Sequence, residues 1–203
     1  MLVLVFITIK YSNLESFPYN SDDYSLGHAT ITKDGTRLYF VSDMPGGFGQ
    51  TDLYVSEYKS GGWQKPENLG QAINSEGREM FPYVYEDGTL FFSTDGRAGL
   101  GGLDIYFTVP SLDAYFEPQS LGYPINSHSD DFGFALNEDL KTGYLSSNRP
   151  GGKGKDDIYF FRANEPLLGV TLSGIVIDES NKELIPNDWV YLKDKNKMII
   201  DSA

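Results

Sequence analysis

Short apolar runs separated by glycine-rich segments recur along most of the chain. Each run contains serine, and each glycine-rich segment that follows it ends in an Asp-Leu/Ile-Tyr triplet. Successive triplets lie about 50 residues apart, a period typical of β-propeller blades, because each blade is built from several short strands. We therefore expect a repeated scaffold rather than a single catalytic centre. The triplets are Asp52-Leu53-Tyr54, Asp104-Ile105-Tyr106 and Asp157-Ile158-Tyr159.

Each repeat predicts four strands, which in the second repeat are expected at 82–85, 89–93, 103–108 and 116–119. Pro66 and Pro118 fall in the fourth strands of the first two repeats. Because proline lacks a backbone N–H, it is tolerated only at the edge of a sheet. The fourth strand is therefore predicted to be the outermost one.

The turns between the first two strands carry a separate signal. Asp34-Gly35 and Asp87-Gly88 stand between apolar runs, which predicts two-residue type I′ turns with positive φ at both central residues. The third repeat has residues 137–141, Asn-Glu-Asp-Leu-Lys, at the corresponding place. A longer hairpin is expected there.

The repeat pattern ends after Arg162, and alternating strands with a proline-containing turn begin beyond Gly169. We predict an all-β chain. Residues 1–165 would form an incomplete β-propeller of about three four-stranded blades plus part of another, and residues 166–203 would begin a truncated β-sandwich. The apolar segment 1–10 is predicted to be a buried strand, because it lacks the basic region and cleavage site of an export signal. Three blades cannot close a ring, so we expect two open sheet faces, with either self-association or a loosely folded chain as the result.

Composition narrows the functional classes. The formal charge is −13, from 16 basic and 29 acidic residues, and lysine and arginine do not cluster beside aromatic residues. A nucleic-acid groove or an anionic membrane surface is therefore an unsuitable partner. The chain has no cysteine, which excludes disulfides, thiol catalysis and cysteine-bound zinc within it.

The glycine-rich loops before Asp52, Asp104 and Asp157 admit two interpretations. Loop carbonyls beside a carboxylate could coordinate calcium, but calcium-binding glycine repeats have a period of about nine residues. We favour the alternative, in which glycine supplies positive φ and each aspartate accepts hydrogen bonds from loop N–H groups. No metal or other cofactor site is predicted.

The sequence gives only weak signals for a catalytic site. The acidic groups that follow each Asn-Ser pair are expected to cap the loops between blades and to form a solvated rim. His28 and His128 are expected to be packed or solvated. The segment 93–96 hints at a sialidase box but lacks its Thr-Trp end and does not recur. Trp63 and Phe116 are expected to pack between blades. We predict no catalytic residues. The acidic groups are Asp22-Asp23, Glu76 with Glu79, and Asp130-Asp131.

The order of several motifs resembles the TolB-like propeller repeats of Bacteroidetes OmpA-family proteins. The motifs are His28-Ala29-Thr30, Leu38-Tyr39-Phe40-Val41-Ser42-Asp43, Gly102-Leu103-Asp104-Ile105-Tyr106, Asp130-Asp131-Phe132-Gly133-Phe134, Ser147-Asn148-Arg149-Pro150-Gly151-Gly152 and Asp156-Asp157-Ile158-Tyr159. Segments 174–178 and 184–186 look like the opening of a carboxypeptidase-regulatory-like sandwich, which follows the propeller in that family.

The resemblance implies a non-catalytic protein-interaction scaffold in the periplasm, associated with the outer membrane and in some members linked to type IX secretion. Its partners would be proteins of the cell envelope, with no direct membrane insertion. Peptidoglycan would be bound only through a further domain. The alternative is a ligand-binding or regulatory propeller attached to a hydrolase, in which the glycine-rich loops would line a substrate path.

Overall fold

A computed structural model describes residues 14–111, 114–168, 180–181, 191–193 and 199–202. Contacts divide the chain into two compact units, Met1–Leu167 and Leu168–Ala203. All regular elements within these described ranges are β-strands, which confirms the all-β prediction. The predicted strand at 1–10 and most of the predicted sandwich, 170–178 and 184–190, lie outside the described residues.

The first unit contains three antiparallel sheets, one for each sequence repeat. In each, the first three strands pair in sequence order. In sheets 1 and 2, short strands that follow Pro66 and Pro118 pair with the third strand at the outer edge, as predicted. Sheet 1 comprises β1 (Leu26–Ile31), β2 (Arg37–Ser42), β3 (Asp52–Lys59), β4 (Gly62–Trp63) and β5 (Glu67–Asn68). Sheet 2 comprises β6 (Glu79–Val84), β7 (Leu90–Thr94), β8 (Asp104–Thr108) and β9 (Gln119–Ser120). Sheet 3 comprises β10 (Asp131–Leu136), β11 (Thr142–Ser147) and β12 (Asp157–Arg162).

The second unit is described only in part. Within it, β13 (Tyr191–Lys193) pairs antiparallel with β14 (Ile199–Ser202). The pairing register shifts between Leu192 and Lys193.

The turns between the first two strands of each sheet differ from the predicted type I′ form. Gly35 and Gly88 have positive φ, of 72° and 90°, whereas the preceding aspartates do not. The glycine N–H instead closes a four-residue turn on the carbonyl three residues earlier, with N–O distances of 2.8 and 2.9 Å. A type I turn followed by a left-handed residue satisfies the same strand twist, so only one residue needs positive φ.

The third turn is not longer than the others, contrary to expectation. Leu140 takes the left-handed conformation at the glycine position, with φ of 57°, and its N–H donates to the Asn137 carbonyl at 3.0 Å. Asp139 accepts hydrogen bonds from the backbone N–H groups of Lys141 and Thr142 and from the Thr142 hydroxyl. These bonds hold a leucine in a conformation that usually favours glycine.

The main core lies between sheets 1 and 2. Alternation along β2 and β3 directs one face of sheet 1 onto sheet 2, and the buried residues come from both. Each fully buried aliphatic or aromatic side chain contributes about 1.5–3 kcal/mol relative to exposure. On the other face of sheet 2, Phe91 stacks on Phe134 of sheet 3, with ring centroids 4.7 Å apart. The core residues are Tyr39, Val41, Leu53, Ile73, Val84, Leu90, Phe92 and Tyr106.

Candidate functional site

The triplet aspartates fasten the glycine-rich loops at one end of the sheets. We call this the glycine-loop end, formed by residues 46–51, 99–103 and 151–156. Each aspartate accepts hydrogen bonds from two backbone N–H groups three and four residues earlier, as predicted from the sequence. The donors are Phe48 and Gly49 to Asp52 at 2.7 and 3.1 Å, Leu100 and Gly101 to Asp104 at 3.0 Å, and Lys153 and Gly154 to Asp157 at 2.8 and 3.0 Å.

Asp104 is the least satisfied of the three. Asn68 donates to Asp52 at 2.7 Å, but Ser120 occupies the corresponding strand position in sheet 2 and bonds to Asn126 instead. The Asp104 Oδ1 atom is therefore buried without a hydrogen-bond partner. Burial raises the pKa of Asp104, and the two loop N–H groups only partly offset that effect.

Two buried asparagines pin the connecting loops to the third strands. The Asn74 amide accepts from the Leu53 N–H at 2.8 Å and donates to the Leu53 carbonyl at 3.1 Å. Asn126 bonds in the same way to Ile105, at 2.7 and 2.9 Å. Because each amide pairs with both backbone groups of one strand residue, it extends the ladder where no further strand lies. Sequence reasoning noted the repeated Asn-Ser pair but not this role.

The predicted acidic rim is only partly correct. Asp22, Asp23 and Glu76 are exposed, but Glu79 and Asp131 are fully buried. The Glu79 carboxylate accepts from the Ser75 N–H and from the hydroxyls of Ser75 and Thr94, and Asp131 accepts from the N–H and hydroxyl of Ser127 and from Arg149. A buried carboxylate requires such donors, and the serine of the Asn-Ser pair supplies them.

Arg97 and Arg149 bind loop carbonyls beside two successive grooves at the glycine-loop end. Arg97 donates to the carbonyls of Ala72 and Ile73, at 2.5 and 3.2 Å. Arg149 donates to the corresponding carbonyls of Pro124 and Ile125, at 3.1 and 2.7 Å. The two arginines thus bind equivalent connecting loops, one between sheets 1 and 2 and the other between sheets 2 and 3. The grooves beside them have volumes of about 450 and 430 Å³.

Exposed apolar side chains border these grooves. Phe48 and Leu100 occupy equivalent tips of the first two glycine-rich loops, and Tyr123 is 82% exposed beside the second groove. Lys153 occupies the equivalent tip of the third glycine-rich loop. Loop hydrogen bonds fix the backbone beneath all three tips, so the apolar side chains project from an ordered surface. Large exposed apolar residues on ordered loops are typical of protein-binding surfaces.

A second feature lies where the first strands of the three sheets run beside one another. His28 stacks on Phe81 with ring centroids 4.2 Å apart, and Phe81 stacks on Phe132 at 5.0 Å. His28 and Phe81 have φ of 49° and 52°, and Gly133 has φ of 61° at the same bulge of sheet 3. Positive φ in histidine and phenylalanine is strained, and the stacked rings and strand pairing hold it in place.

The histidines have separate environments. His28 is an exposed residue, and its Nδ1 accepts a hydrogen bond from the Phe81 N–H at 3.4 Å. Partial burial of the imidazole lowers its pKa. His128 lines the second groove. Ser93, from the segment compared with a sialidase box, is buried, and Asp95 from the same segment is paired with Arg78.

Contrary to the sequence prediction, neither of the paired aromatics is seen to pack between two sheets. Trp63 contacts the rings of Tyr58 and Phe17, with centroid distances of 5.2 and 6.3 Å. Phe116 is exposed instead, so its expected packing role is wrong. The neighbouring Tyr115 is instead partly buried against the core, and its hydroxyl lies 2.8 Å from that of Tyr39. Burial raises the pKa of Tyr115 strongly.

Within the described ranges, histidine, aspartate and glutamate do not gather in groups of three or more suited to a metal ion. The same part of the chain contains no helix of the length and hydrophobicity needed to cross a membrane.

No protein-family model and no curated protein matches the chain. Among solved structures, prolyl oligopeptidase B from Galerina marginata is 14% identical over 71% of this chain and 19% of its own length, with a TM-score of 0.46. The α-L-arabinofuranosidase from Lactobacillus brevis is 14% identical over 74% of this chain and 55% of its own, with a TM-score of 0.40. This chain thus spans less than two thirds of either protein.

Proposed function

We propose that the three sheets are blades of a β-propeller and that the chain is a non-catalytic scaffold for binding proteins of the cell envelope. The shared strand order and the repeated Asp and Asn pins support the blade interpretation. The order of sequence motifs, which resembles TolB-like repeats of OmpA-family proteins, supports the envelope setting. Under this proposal the protein is periplasmic and associated with the outer membrane, and peptidoglycan binding belongs to another domain.

One observation carries the binding proposal. At the glycine-loop end, the buried carboxylates and amides bond to backbone or neighbouring side chains, whereas apolar side chains point outward. Most of these buried polar groups thus hold the loops, although Asp104 Oδ1 is buried without a partner and His128 lines the second groove. What the surface offers a partner is shape and apolar area on an ordered backbone.

Ordered loops favour protein binding for an entropic reason. Each side chain or loop that is already fixed before association avoids an ordering cost of about 0.5–1.5 kcal/mol. Aromatic residues are frequent among the few that dominate interface energy, and removing one costs about 2 kcal/mol or more. Phe48 and Tyr123 are the strongest candidates for such contacts, with Leu100 between them.

An affinity comparison tests the proposal. The full chain and a variant with Phe48→Ser, Leu100→Ser and Tyr123→Ser would be used to capture proteins from envelope extracts of the encoding organism. Tyr58→Ser is the matched control, because Tyr58 is similarly exposed but lies at the opposite end of β3. We expect specific partners to be lost only with the triple variant. Equal capture by all three proteins would contradict the proposal.

A further inference from the structure

Sheet 3 carries an uncovered apolar face. Tyr144, Ile158 and Phe160 lie on one side of β11 and β12, and are 48%, 77% and 52% exposed. The rings of Tyr144 and Phe160 contact each other, with centroids 5.4 Å apart. Within the described part of the first unit, no residue buries this face. Contiguous apolar surface of this kind usually marks a contact with another molecule.

The corresponding faces of the other two sheets are covered. Phe91 and Ile105 occupy the positions of Tyr144 and Ile158 in sheet 2, and both are 0% exposed. In sheet 1, Tyr39 and Leu53 lie at the same positions and belong to the core with sheet 2. The same strand positions are therefore buried twice by a packed sheet. Sheet 3 keeps the apolar pattern of a face that is built to receive another sheet.

The face of sheet 1 that points away from sheet 2 is covered, which limits the ways that two copies can pack against each other. On the outer face of sheet 1, Phe40 and Tyr54 are buried, and the Phe17 ring lies 5.6 Å from that of Phe40. A second copy therefore cannot place its sheet 1 on sheet 3 in a head-to-tail chain. This corrects the expectation of two open faces. The surface that remains for a second copy is its own sheet 3.

Charges flank the apolar face in a self-complementary order. Asp156 directly precedes β12 and Arg162 ends it, and strand alternation places Arg162 on the same side as Ile158 and Phe160. If two copies face each other with antiparallel β12 strands, Arg162 of each copy lies beside Asp156 of the other. A two-fold axis produces this arrangement at both ends at once.

We propose that two copies of this chain form a symmetric dimer by packing these sheet 3 faces against each other. Face-to-face sheets pack about 10 Å apart, which allows Ile158 and Phe160 of the two copies to interdigitate. The proposal is independent of the envelope partner, because it uses a different surface from the glycine-loop end. Each substitution in such an interface counts twice in the dimer.

Sedimentation velocity of the full chain tests the dimer. We expect the wild-type chain to dimerise and Ile158→Lys to raise the dimer dissociation constant at least 100-fold, while Tyr58→Lys leaves it unchanged. Circular dichroism would confirm that both variants fold. A monomeric wild-type chain at about 100 μM, open-ended oligomers, or a dimer that Ile158→Lys does not weaken would overturn the proposal.

Two further variants test the orientation without relying on a change in the apolar residues. Arg162→Glu alone should weaken the dimer, and adding Asp156→Arg should restore it. Because the chain contains no cysteine, Ile158→Cys introduces a single thiol, which a short bismaleimide should cross-link between the two copies, since sheets about 10 Å apart are too far for a direct disulfide. Leu100→Cys, at the glycine-loop end, should cross-link at least tenfold more slowly. Absence of charge-swap rescue together with equal cross-linking would exclude this packing.

Discussion

Replacing Asn126 with alanine should destabilise the first unit strongly, even though asparagine is a small polar residue. Asn126 is fully buried and makes three hydrogen bonds, two to the backbone of Ile105 and one to the Ser120 hydroxyl. Alanine removes all of them and leaves the Ile105 N–H and carbonyl without their partner. A buried unsatisfied group costs about 1–3 kcal/mol, so the two together cost about 2–6 kcal/mol. We expect a loss near the middle of that range.

Equilibrium urea unfolding followed by aromatic circular dichroism measures this loss. The midpoint should fall while the slope of free energy against urea stays unchanged, because the variant exposes the same surface on unfolding. Protein concentration must be held constant and low, since dimerisation would add to apparent stability. Asn74→Ala should behave alike, because Asn74 makes the same pair of bonds to Leu53.

Asn20→Ala is the control, because Asn20 is exposed and its side-chain amide donates to the Ser16 hydroxyl at 2.9 Å. Its effect should be below about 0.5 kcal/mol. If Asn126→Ala also costs less than about 1 kcal/mol, the amide does not pin the strand, and the account of how the repeated Asn-Ser pair positions the loops is wrong.

Four other outcomes follow from individual groups. Hydrogen bonds from Thr32 and Thr36 lower the pKa of Asp34 from 3.8 to about 2, which an NMR titration of its carboxyl group should show. The contribution of Asp34 to stability should therefore be complete above pH 4 and lost as the pH falls toward 2. Burial lowers the pKa of His28 below 6.5, so the wild-type chain should lose stability as the pH falls below 6.5, and a His28→Gln variant should lose less; equal pH profiles would refute this. Gly143→Ala should cost about 1–3 kcal/mol in thermal unfolding, because the new Cβ would overlap the Ala135 carbonyl oxygen and lie 2.6 Å from the Phe161 ring, whereas Gly27→Ala meets nothing within 4 Å and should cost far less. Excess chelator should leave the melting temperature unchanged, and a fall would revive calcium at the glycine-rich loops.

The repeat, the strands and the aspartate bonds could be predicted because they depend on local signals. Alternating apolar residues mark a strand wherever it lies, and an aspartate that follows a glycine-rich loop can reach N–H groups only three or four residues away. The hydrogen bonds to Asp52, Asp104 and Asp157 confirm that reasoning.

The missed features depend on partners distant in sequence or on conformation imposed by the sheet. Glu79 and Asp131 read as surface carboxylates because their burial depends on how loops fold back over them. The equivalent bulges of the three sheets contain histidine, phenylalanine and glycine at the same position, so the residue type does not predict positive φ there. His28, Phe81 and Gly133 share a conformation because the strand pairing around them is the same.

The turns show the same limit at a smaller scale. Asp-Gly predicted the right place for two turns but the wrong type, because the residues before the aspartate also belong to the loop. Leu140 carries no signal for a left-handed residue, and the hydrogen bonds that Asp139 accepts help to stabilise the turn that requires it. Sequence identified where the chain reverses, whereas backbone geometry determined how.

The central claim is that the glycine-loop end binds protein partners, and site-specific photo-cross-linking in living cells tests it most directly. A photoreactive phenylalanine analogue would replace Tyr123 in one variant and Tyr58 in another, since both side chains are exposed but lie at opposite ends of the sheets. The account predicts a discrete cross-linked protein from position 123 and none from position 58. Cross-linking from position 58 alone, or equally from both, would contradict it.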